Sequence, residues 1–377
     1  MNKVSRFGLA ALLLIALVLS GCSQSGAKSV KIGFIGPLTG DVKTFGESSK
    51  NGFNIALEKR GKEVAGFKIE AVIADDRNDP TEAVNAATKL ITQDKVKAIV
   101  GSVTSSATIP ISVVTNANKT VQITGTATNT KVTVDNGKRK EFVFRSCFID
   151  DFQGAVGAKF ALNNLKAKTA AIIFDQGNDY TKGLTQVFKA NFEAGGGKIV
   201  ASEAYAKDDT DFSAQLTNIA AKKPDVLYLP DYYQKVSLIG KQARGKGITA
   251  VFLGGDGWDS SELDFATMEG GYFTNHYSPE DTRPEVQAWV KEYSAKYGSK
   301  PDALASLFYD ATNMLLDAIE KAKSSDAVKI KDALKETKGF KGVTGTMTLD
   351  ANGNPVKSAV ILQIKGGKQA YVTTVNP

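Results

Sequence analysis

Residues 169–205 read TAAIIFDQGNDYTKGLTQVFKANFEAGGGKIVASEAY. The apolar run TAAIIFD predicts a buried strand over residues 169–175, and KIVASEAY predicts a second strand over residues 198–205. Between them, YTKGLTQVFKANFEAGG predicts an amphipathic helix over residues 180–196. A strand, a helix and another strand in this order are typical of a parallel sheet covered by helices.

The same alternation occurs on both sides of this stretch. Before it, the pattern predicts strands at residues 30–36, 67–76, 96–102 and 121–129, with helices at residues 45–60 and 79–93. After it, the pattern predicts helices at residues 211–223 and 232–247, with strands at residues 225–230 and 250–255. A chain of 377 residues is longer than one ordinary domain. We therefore expect a two-lobed α/β fold, in which each lobe is a doubly wound, mostly parallel sheet.

The last hundred residues complete this organisation. Residues 284–323 are predicted to be strongly helical. The end of the chain predicts strands separated by turns at Asn352-Gly353 and Gly366-Gly367.

The first 29 residues have the layout of an export signal and a tether. Lys3 and Arg6 precede an apolar core that is shorter than the roughly 20 residues needed to span a bilayer. The core ends in LSGC, which resembles a bacterial lipobox. We expect a signal peptide over residues 1–21, a lipid on Cys22 and a tether over residues 22–29, against the alternative of a plain signal peptide with an incidental cysteine. The lipid would hold the protein at the extracytoplasmic face of the cell membrane or in the periplasm.

Composition gives no sign of a nucleic-acid partner. The formal net charge is +7, and basic residues are mixed with acidic ones without a polybasic block. The only cysteines are Cys22 and Cys147, so a lipid on the first leaves the second without an intramolecular disulfide partner. We expect a monomer that does not bind nucleic acid.

Signals of catalysis are weak. His276 is the only histidine, which excludes multi-histidine zinc sites and makes a Ser-His-Asp triad depend on one residue. A lone histidine is more often structural or exposed. The acidic segment ADDRNDP at residues 74–80 suits turn and helix-cap chemistry better than a metal site. We expect a protein that is not an enzyme and that has no metal and no cofactor.

Signals of binding are stronger, and the first lobe offers a site for a carboxylate. Ser105 and Ser106 follow one predicted strand and precede a helix, while Thr126, Ala127 and Thr128 follow the next strand. Ligands of open α/β sheets bind at the carboxyl ends of strands. Hydroxyls and free amides at a helix start suit a carboxylate, because the helix dipole and the unpaired N–H groups favour negative charge.

The second lobe offers a site for an ammonium group. Asp256 follows the predicted strand at residues 250–255, and Tyr180 and Tyr232 follow two earlier strands of that lobe. An acidic side chain can pair with an ammonium group while aromatic rings exclude water or face the cation. Together the two half-sites predict an amino acid in the cleft. The alternatives are that Ser105 only caps its helix, that Asp256 only forms a turn, and that the tyrosines only fill the core.

Seven separated segments carry a resemblance to a known family. They are IGPLTGDVKTFGESSKNGFNIALE, DDRNDPTEAVNAATKLI, VGSVTSSATIPIS, FRSCFIDDFQG, DYTKGL, DFSAQL and GGDGWDSSEL. In this order they resemble the type I periplasmic binding proteins of the branched-chain amino acid family, the substrate-binding components of ABC importers. The resemblance implies capture of a branched-chain or similar aliphatic amino acid by hinge closure, followed by docking on the permease and its ATPases. A small amide ligand and a sensor role remain the alternatives.

The resemblance also implies lobe limits and first-lobe roles. Lobe one would comprise residues 30–147 and 277–355, and lobe two residues 148–276 and 356–377. Within lobe one, Ser105 and its neighbour Ser106 would bind the ligand carboxylate. Thr126 and Thr128 would belong to the loop that contacts both the carboxylate and the ammonium group, and Phe45 would line the pocket for the ligand side chain; each role is one that the resemblance implies.

In lobe two, the resemblance implies that Tyr180 and Tyr232 close over the ligand and that Asp256 receives its ammonium group. Some members have Glu at this last position, so the shorter Asp256 would shift the ligand or leave space for water. Trp258 beside it would reshape the pocket.

A second departure concerns the first lobe. Some members have a disulfide near the DD and S-x-x-S-S loops, where this chain has Asp76 and Thr104.

Overall fold

The computed structural model describes residues 28–377. The predicted signal peptide, Cys22 and all but the end of the predicted tether lie outside the described residues. Within residues 28–377, every helix is too short or too polar to cross a membrane.

The helices of the described part alternate with strands over most of the chain. The helices are α1 (Lys43–Lys59), α2 (Pro80–Thr92), α3 (Ser105–Ala117), α4 (Asp150–Asn163), α5 (Asp179–Ala194), α6 (Ser213–Lys222), α7 (Tyr233–Gly245), α8 (Pro284–Tyr297), α9 (Ala303–Ala322) and α10 (Ala327–Lys335), with short 3-10 helices at Thr130–Val132 and Asp256–Trp258. The strands are β1 (Ser29–Gly36), β2 (Glu63–Val64), β3 (Phe67–Asp75), β4 (Ala98–Val100), β5 (Val121–Thr124), β6 (Val134–Asp135), β7 (Lys138–Arg139), β8 (Val143–Arg145), β9 (Thr169–Asp175), β10 (Lys198–Tyr205), β11 (Val226–Leu229), β12 (Val251–Gly254), β13 (Tyr272–Asn275), β14 (Phe340–Gly342), β15 (Gly345–Leu349), β16 (Pro355–Val356), β17 (Ala359–Lys365) and β18 (Lys368–Val375).

Two large sheets form the cores of the two lobes. The first has the order β2-β3-β1-β4-β5-β8 and is parallel except for β2. The second has the order β10-β9-β11-β12-β13-β17-β18 and is parallel up to β13, after which β17 and β18 join antiparallel. All four residues of β11 are buried, as expected for a strand covered by helices on both faces. The predicted two-lobed, mostly parallel α/β fold is confirmed.

Local sequence explains where the elements begin and end. Asp79 accepts hydrogen bonds from the amides of Thr81 and Glu82 at 2.8 and 2.9 Å, and Pro80 is the first residue of α2. The predicted cap of this helix is confirmed. The predicted helical region over residues 284–323 divides into α8 and α9, because Gly298 ends α8 with a φ of 75°.

Late segments of the chain return to each sheet. A Cβ atom at Gly52 of α1 would lie 2.0 Å from the carbonyl oxygen of Ala305 in α9, so these two helices meet backbone against backbone. Strand β17 pairs with β13, with Tyr272 opposite Gln363. The lobe limits at residues 147, 277 and 355 stay a prediction.

Three segments cross between the sheets, after β8, after β13 and after β16, and they contact one another. The ring of Phe148 in the first crossing stacks on His276 in the second, with centroids 3.5 Å apart. In the third crossing, Lys357 Nζ donates to Thr344 Oγ1 at 2.6 Å and to the carbonyl oxygen of Ser146 at 3.4 Å. Burial lowers the pKa of Lys357 to about 8. The crossings therefore form a packed polar seam beside the cleft.

Candidate functional site

A small cavity of about 30 Å³ lies where loops of the two lobes meet. Its lining comes from both lobes and consists of Phe45, Val103, Thr104, Ser105, Thr126 and Leu304 on one side and Tyr180, Tyr232, Asp256 and Gly257 on the other. Six predicted site residues are thus brought together. Val103 and Leu304 add apolar surface that sequence reasoning did not assign to the site.

The first turn of α3 supplies hydrogen-bond donors at the cavity. Its N-cap residue is Thr104, whose side chain makes no capping hydrogen bond. The first amides of a helix have no partner within the helix, so they favour an anion. Ser105 does not cap the helix, which makes that alternative wrong; its Oγ accepts from the Asn129 amide at 3.2 Å. The Ser105 hydroxyl proton is therefore free to be donated to a carboxylate.

The loop after β5 is held by a buried arginine. Arg145 donates from Nη1 to the carbonyl oxygen of Ala127 at 2.8 Å and from Nη2 to that of Asn129 at 2.9 Å. In a trans peptide the carbonyl and the following N–H point in opposite directions. The Thr128 amide is thus directed away from Arg145. The sequence contains Arg145 in the segment FRSCFIDDFQG, but we predicted no role for it.

Asp256 accepts three hydrogen bonds from side chains. Its Oδ1 accepts from Tyr180 OH and from Gln153 Nε2, both at 2.8 Å, and its Oδ2 lies 3.0 Å from His276 Nε2. Burial lowers the pKa of His276 to about 4, so its ring is neutral at neutral pH. Three neutral donors stabilise the carboxylate without cancelling its charge. Sequence reasoning missed Gln153 and treated His276 only as structural or as a weak triad candidate.

Aromatic rings form one wall of the cavity. Tyr180 and Tyr232 stack with centroids 5.2 Å apart and an interplanar angle of 11°. Phe45, from the other lobe, meets Tyr232 edge to face at 5.6 Å. Burial raises the pKa of both tyrosine hydroxyls well above the usual value, so they remain O–H donors. These rings exclude water from the space beside Asp256.

Several buried side-chain oxygen atoms of the two lobes complete no hydrogen bond with another described residue. They are Thr128 Oγ1, Gln153 Oε1 and both carboxylate oxygens of Asp150. Burial raises the pKa of Asp150 to about 8. Leaving buried polar atoms without a partner is costly.

Three predicted residues and Trp258 lie outside the cavity lining. Ser106 is used in a contact between lobes, where its Oγ accepts from the Asp179 amide at 2.9 Å. Ala127 and Thr128 are buried beside the cavity without lining it. Trp258 is fully buried and donates from Nε1 to the Leu229 carbonyl oxygen at 3.0 Å, so it lies in the second-lobe core. The expectation that Trp258 reshapes the pocket is wrong, because the 3-10 helix turns its ring beneath β12.

Polar contacts occupy the positions where some family members have a disulfide. Thr104 Oγ1 donates to Asn78 Oδ1 at 2.7 Å, and Ser102 Oγ donates to the buried carboxylate of Asp76. Burial raises the pKa of Asp76 to about 6. These contacts join the loop that precedes α3 to the loop that precedes α2.

The lobes touch each other around the cavity. Asn129 Nδ2 donates to the carbonyl oxygen of Asp179 at 2.9 Å, and Tyr233 OH donates to that of Asp41 at 3.0 Å. These contacts join first-lobe loops to the starts of second-lobe helices. The cleft is therefore closed over the cavity.

A larger cavity of about 570 Å³ lies beside the second and third crossings. Its lining includes Arg283, Thr344, Ser358 and Tyr371 and contains none of the predicted binding residues. The smaller cavity, not this one, brings the predicted half-sites together.

Comparison with known proteins gives a consistent result. Residues 29–369 match a family model described as periplasmic binding protein. The Leu/Ile/Val-binding protein BraC3 of Rhizobium johnstonii is 35% identical over 331 residues, which cover 86% of this chain and 88% of that protein.

Two solved structures share the fold over nearly the whole chain. The leucine-binding protein LivK of Thermotoga maritima has a TM-score of 0.88 and 40% identity and covers 92% of this chain and 99% of its own. LivJ of Streptococcus pneumoniae, a branched-chain amino acid transporter substrate-binding protein solved with isoleucine, has a TM-score of 0.86 and 32% identity and covers 93% of this chain and 100% of its own.

Proposed function

The chain belongs to the type I periplasmic binding proteins of the branched-chain amino acid family, and from this premise we propose that it captures an aliphatic amino acid in its cleft and delivers it to an ABC importer. One observation carries the proposal. Ser105 at the start of α3 and Asp256 in the opposite lobe line the same cavity. An α-amino acid has the two charges that these half-sites would receive.

The apolar lining favours an aliphatic side chain. Phe45, Val103 and Leu304 contribute carbon surface at the first-lobe side of the cavity. None of these side chains has a polar group for a charged or amide ligand side chain. The names of the relatives, which refer to leucine, isoleucine and valine, point to the same class.

Closure of the lobes would bury the ligand and present a single surface to the permease and its ATPases. The three crossings are the hinge in this proposal. The ligand would leave chemically unchanged, because the site is proposed to bind and release without catalysis.

Calorimetric titration of the purified protein with each standard amino acid tests this function. We expect binding of leucine, isoleucine or valine, a higher melting temperature in the presence of the ligand, and recovery of unchanged ligand by mass spectrometry. Absence of binding to all amino acids would contradict the proposal, and so would a chemically altered ligand.

We propose further that a lipid on Cys22 anchors the protein at the extracytoplasmic face of the membrane. Cys22→Ser should move the protein from the membrane fraction to the soluble fraction, because the apolar core before it is too short to span. Cys147→Ser is the matched control, since Cys147 is a free, buried cysteine of the folded part. Retention of the Cys22→Ser protein in the membrane would refute the anchor.

Uptake of radiolabelled leucine by cells tests delivery to an importer. Cells that lack the gene should take up less leucine, and expression of the normal protein should restore uptake. Expression of Asp256→Asn to the same level should not restore it, because the ammonium partner is lost. Unchanged uptake without the gene would favour a sensor role.

A further inference from the structure

His276 occupies a position that links the crossings to the ligand cavity. It directly follows β13 in the second crossing and is 3% exposed. One face of its ring stacks on Phe148 of the first crossing at 3.5 Å with an interplanar angle of 23°. Its Nε2 lies 3.0 Å from Asp256 Oδ2.

The direction of the hydrogen bonds at Asp256 follows from its charge. An ionised carboxylate only accepts, so Nε2 of His276 must carry the proton and Nδ1 must be the unprotonated nitrogen. Nδ1 is buried and has no hydrogen-bond partner among the described residues. The ring therefore donates one hydrogen bond to Asp256 without contributing a positive charge.

These bonds leave Asp256 one place for a ligand. A carboxylate has about four lone-pair positions. Tyr180 and Gln153 occupy both positions at Oδ1, and His276 occupies one at Oδ2. The remaining position is at Oδ2, beside His276, so an ammonium group must approach Asp256 there.

We propose that His276 is a positioning residue, which fixes the Asp256 carboxylate so that the free position at Oδ2 faces the ligand ammonium group. The inference rests on the proposed function, because it assumes a ligand with an α-ammonium group. Stacking on Phe148 explains why an aromatic ring stands at residue 276 but not why the ring has a donor nitrogen. A phenylalanine would stack as well and would leave Oδ2 without its fixed partner.

Three variants separate the stacking of the His276 ring from its hydrogen bond to Asp256. His276→Phe keeps the aromatic ring and removes the donor. His276→Gln removes the ring and keeps an N–H donor at a similar reach, so it should restore the function. Tyr277→Phe is the control, since Tyr277 is a buried neighbour whose hydroxyl has no hydrogen-bond partner among the described residues.

The experiment measures the dissociation constants of L-leucine and of its α-hydroxy analogue, L-2-hydroxy-4-methylpentanoate, for each variant. The analogue keeps the carboxylate and the side chain but has no ammonium group. We expect His276→Phe to weaken leucine binding by at least about tenfold and to change binding of the analogue by less than about threefold. His276→Gln should bind leucine within about threefold of the normal protein, as should Tyr277→Phe.

Equal weakening of both ligands by His276→Phe would overturn the inference and indicate a purely structural role, as would leucine binding within threefold of normal. If His276→Phe does not fold, the comparison of His276→Gln with His276→Leu replaces it, and equal leucine affinity of those two variants would overturn the inference. Failure of the normal protein to bind any amino acid would instead refute the proposed function. The two failures are thus distinguishable.

Discussion

The two lobes bring different kinds of chemistry to one cavity. The first lobe offers the start of α3, the Ser105 hydroxyl and a loop whose carbonyl groups are held by Arg145. The second lobe offers one carboxylate, Asp256, held by three side-chain donors. Backbone donors persist when a side chain is replaced, whereas the carboxylate is removed by a single substitution. We therefore expect the first half-site to tolerate substitution better than the second.

The largest effect is expected from Asp256→Asn. The change keeps the shape of the side chain and removes the charge that pairs with the ammonium group, which costs about 2–5 kcal/mol of binding free energy. Calorimetric titration with the best amino acid measures the loss. Asp231→Asn is the control, because Asp231 is also buried in the second lobe but does not line the cavity. If Asp256→Asn bound the amino acid as tightly as the normal protein, the ammonium site would lie elsewhere.

A smaller loss is expected from Ser105→Ala. One hydrogen bond to the ligand carboxylate disappears, which costs about 1.5–3 kcal/mol, while the amides at the start of α3 remain. The same titration applies, with Ser106→Ala as the neighbouring control, since Ser106 contacts Asp179 and not the cavity. If Ser106→Ala were the more damaging change, the carboxylate would lie nearer the contact between the lobes.

Two buried carboxylates, one from each lobe, lie at the start of α9. Asp259 accepts from the Ala303 amide at 2.8 Å, and Asp302 accepts from the Ala305 amide at 2.8 Å. Burial, with a further contribution from the negative charge of Asp259, raises the pKa of Asp302 to about 7. Because the folded-state pKa is raised, Asp302 keeps a proton in the folded protein between about pH 4 and pH 7, where the unfolded chain has already released it. The stability that this proton contributes is lost as the pH rises through that range.

Asp302→Asn should remove this loss, since asparagine also caps helices and has no proton to release. The free energy of unfolding should change between pH 5 and pH 8 in both proteins. We expect this change to be more favourable in the variant than in the normal protein by at least about 1 kcal/mol. Urea denaturation at the two pH values measures it. If the free energy of unfolding depended on pH identically in both proteins, this pair of carboxylates would not be the source of the stability loss.

The smallest effect is expected from Thr126→Val. Thr126 lines the cavity, but its hydroxyl donates to the Val103 carbonyl oxygen at 2.6 Å and is not free for a ligand. The affinity should fall by no more than about 1 kcal/mol, the worth of one neutral hydrogen bond. A loss as large as that of Ser105→Ala would mean that the Thr126 hydroxyl binds the ligand directly.

The sequence predicted the fold well because the alternation of apolar strands and amphipathic helices is local. Strands β9 and β10 agree with their predicted limits. The pattern did not predict β13 or α10. Strand β13 has only four residues, and it gains its place from pairing with β12 and with the distant β17. Such pairing over a long sequence distance leaves no periodic signal.

The sequence predicted the site residues that directly follow strands. It missed residues that act by holding another side chain in place. Asp256, Tyr180 and Ser105 each follow a strand of a sheet, so position and chemistry both indicated them. Gln153, by contrast, lies inside α4, and its contact with Asp256 depends on how α4 packs against the second sheet. Trp258 was misjudged because adjacency in sequence to Asp256 does not determine where its ring points.

The central claim is that one ligand joins the two lobes through opposite ends, and a crystal structure of the protein with its tightest-binding amino acid tests it most directly. We expect the ligand in the cavity between the lobes, with its ammonium nitrogen within about 3 Å of Asp256 Oδ2 and a carboxylate oxygen within about 3 Å of Ser105 Oγ. A ligand in the reverse orientation, or one bound in the larger cavity beside the crossings, would contradict the account.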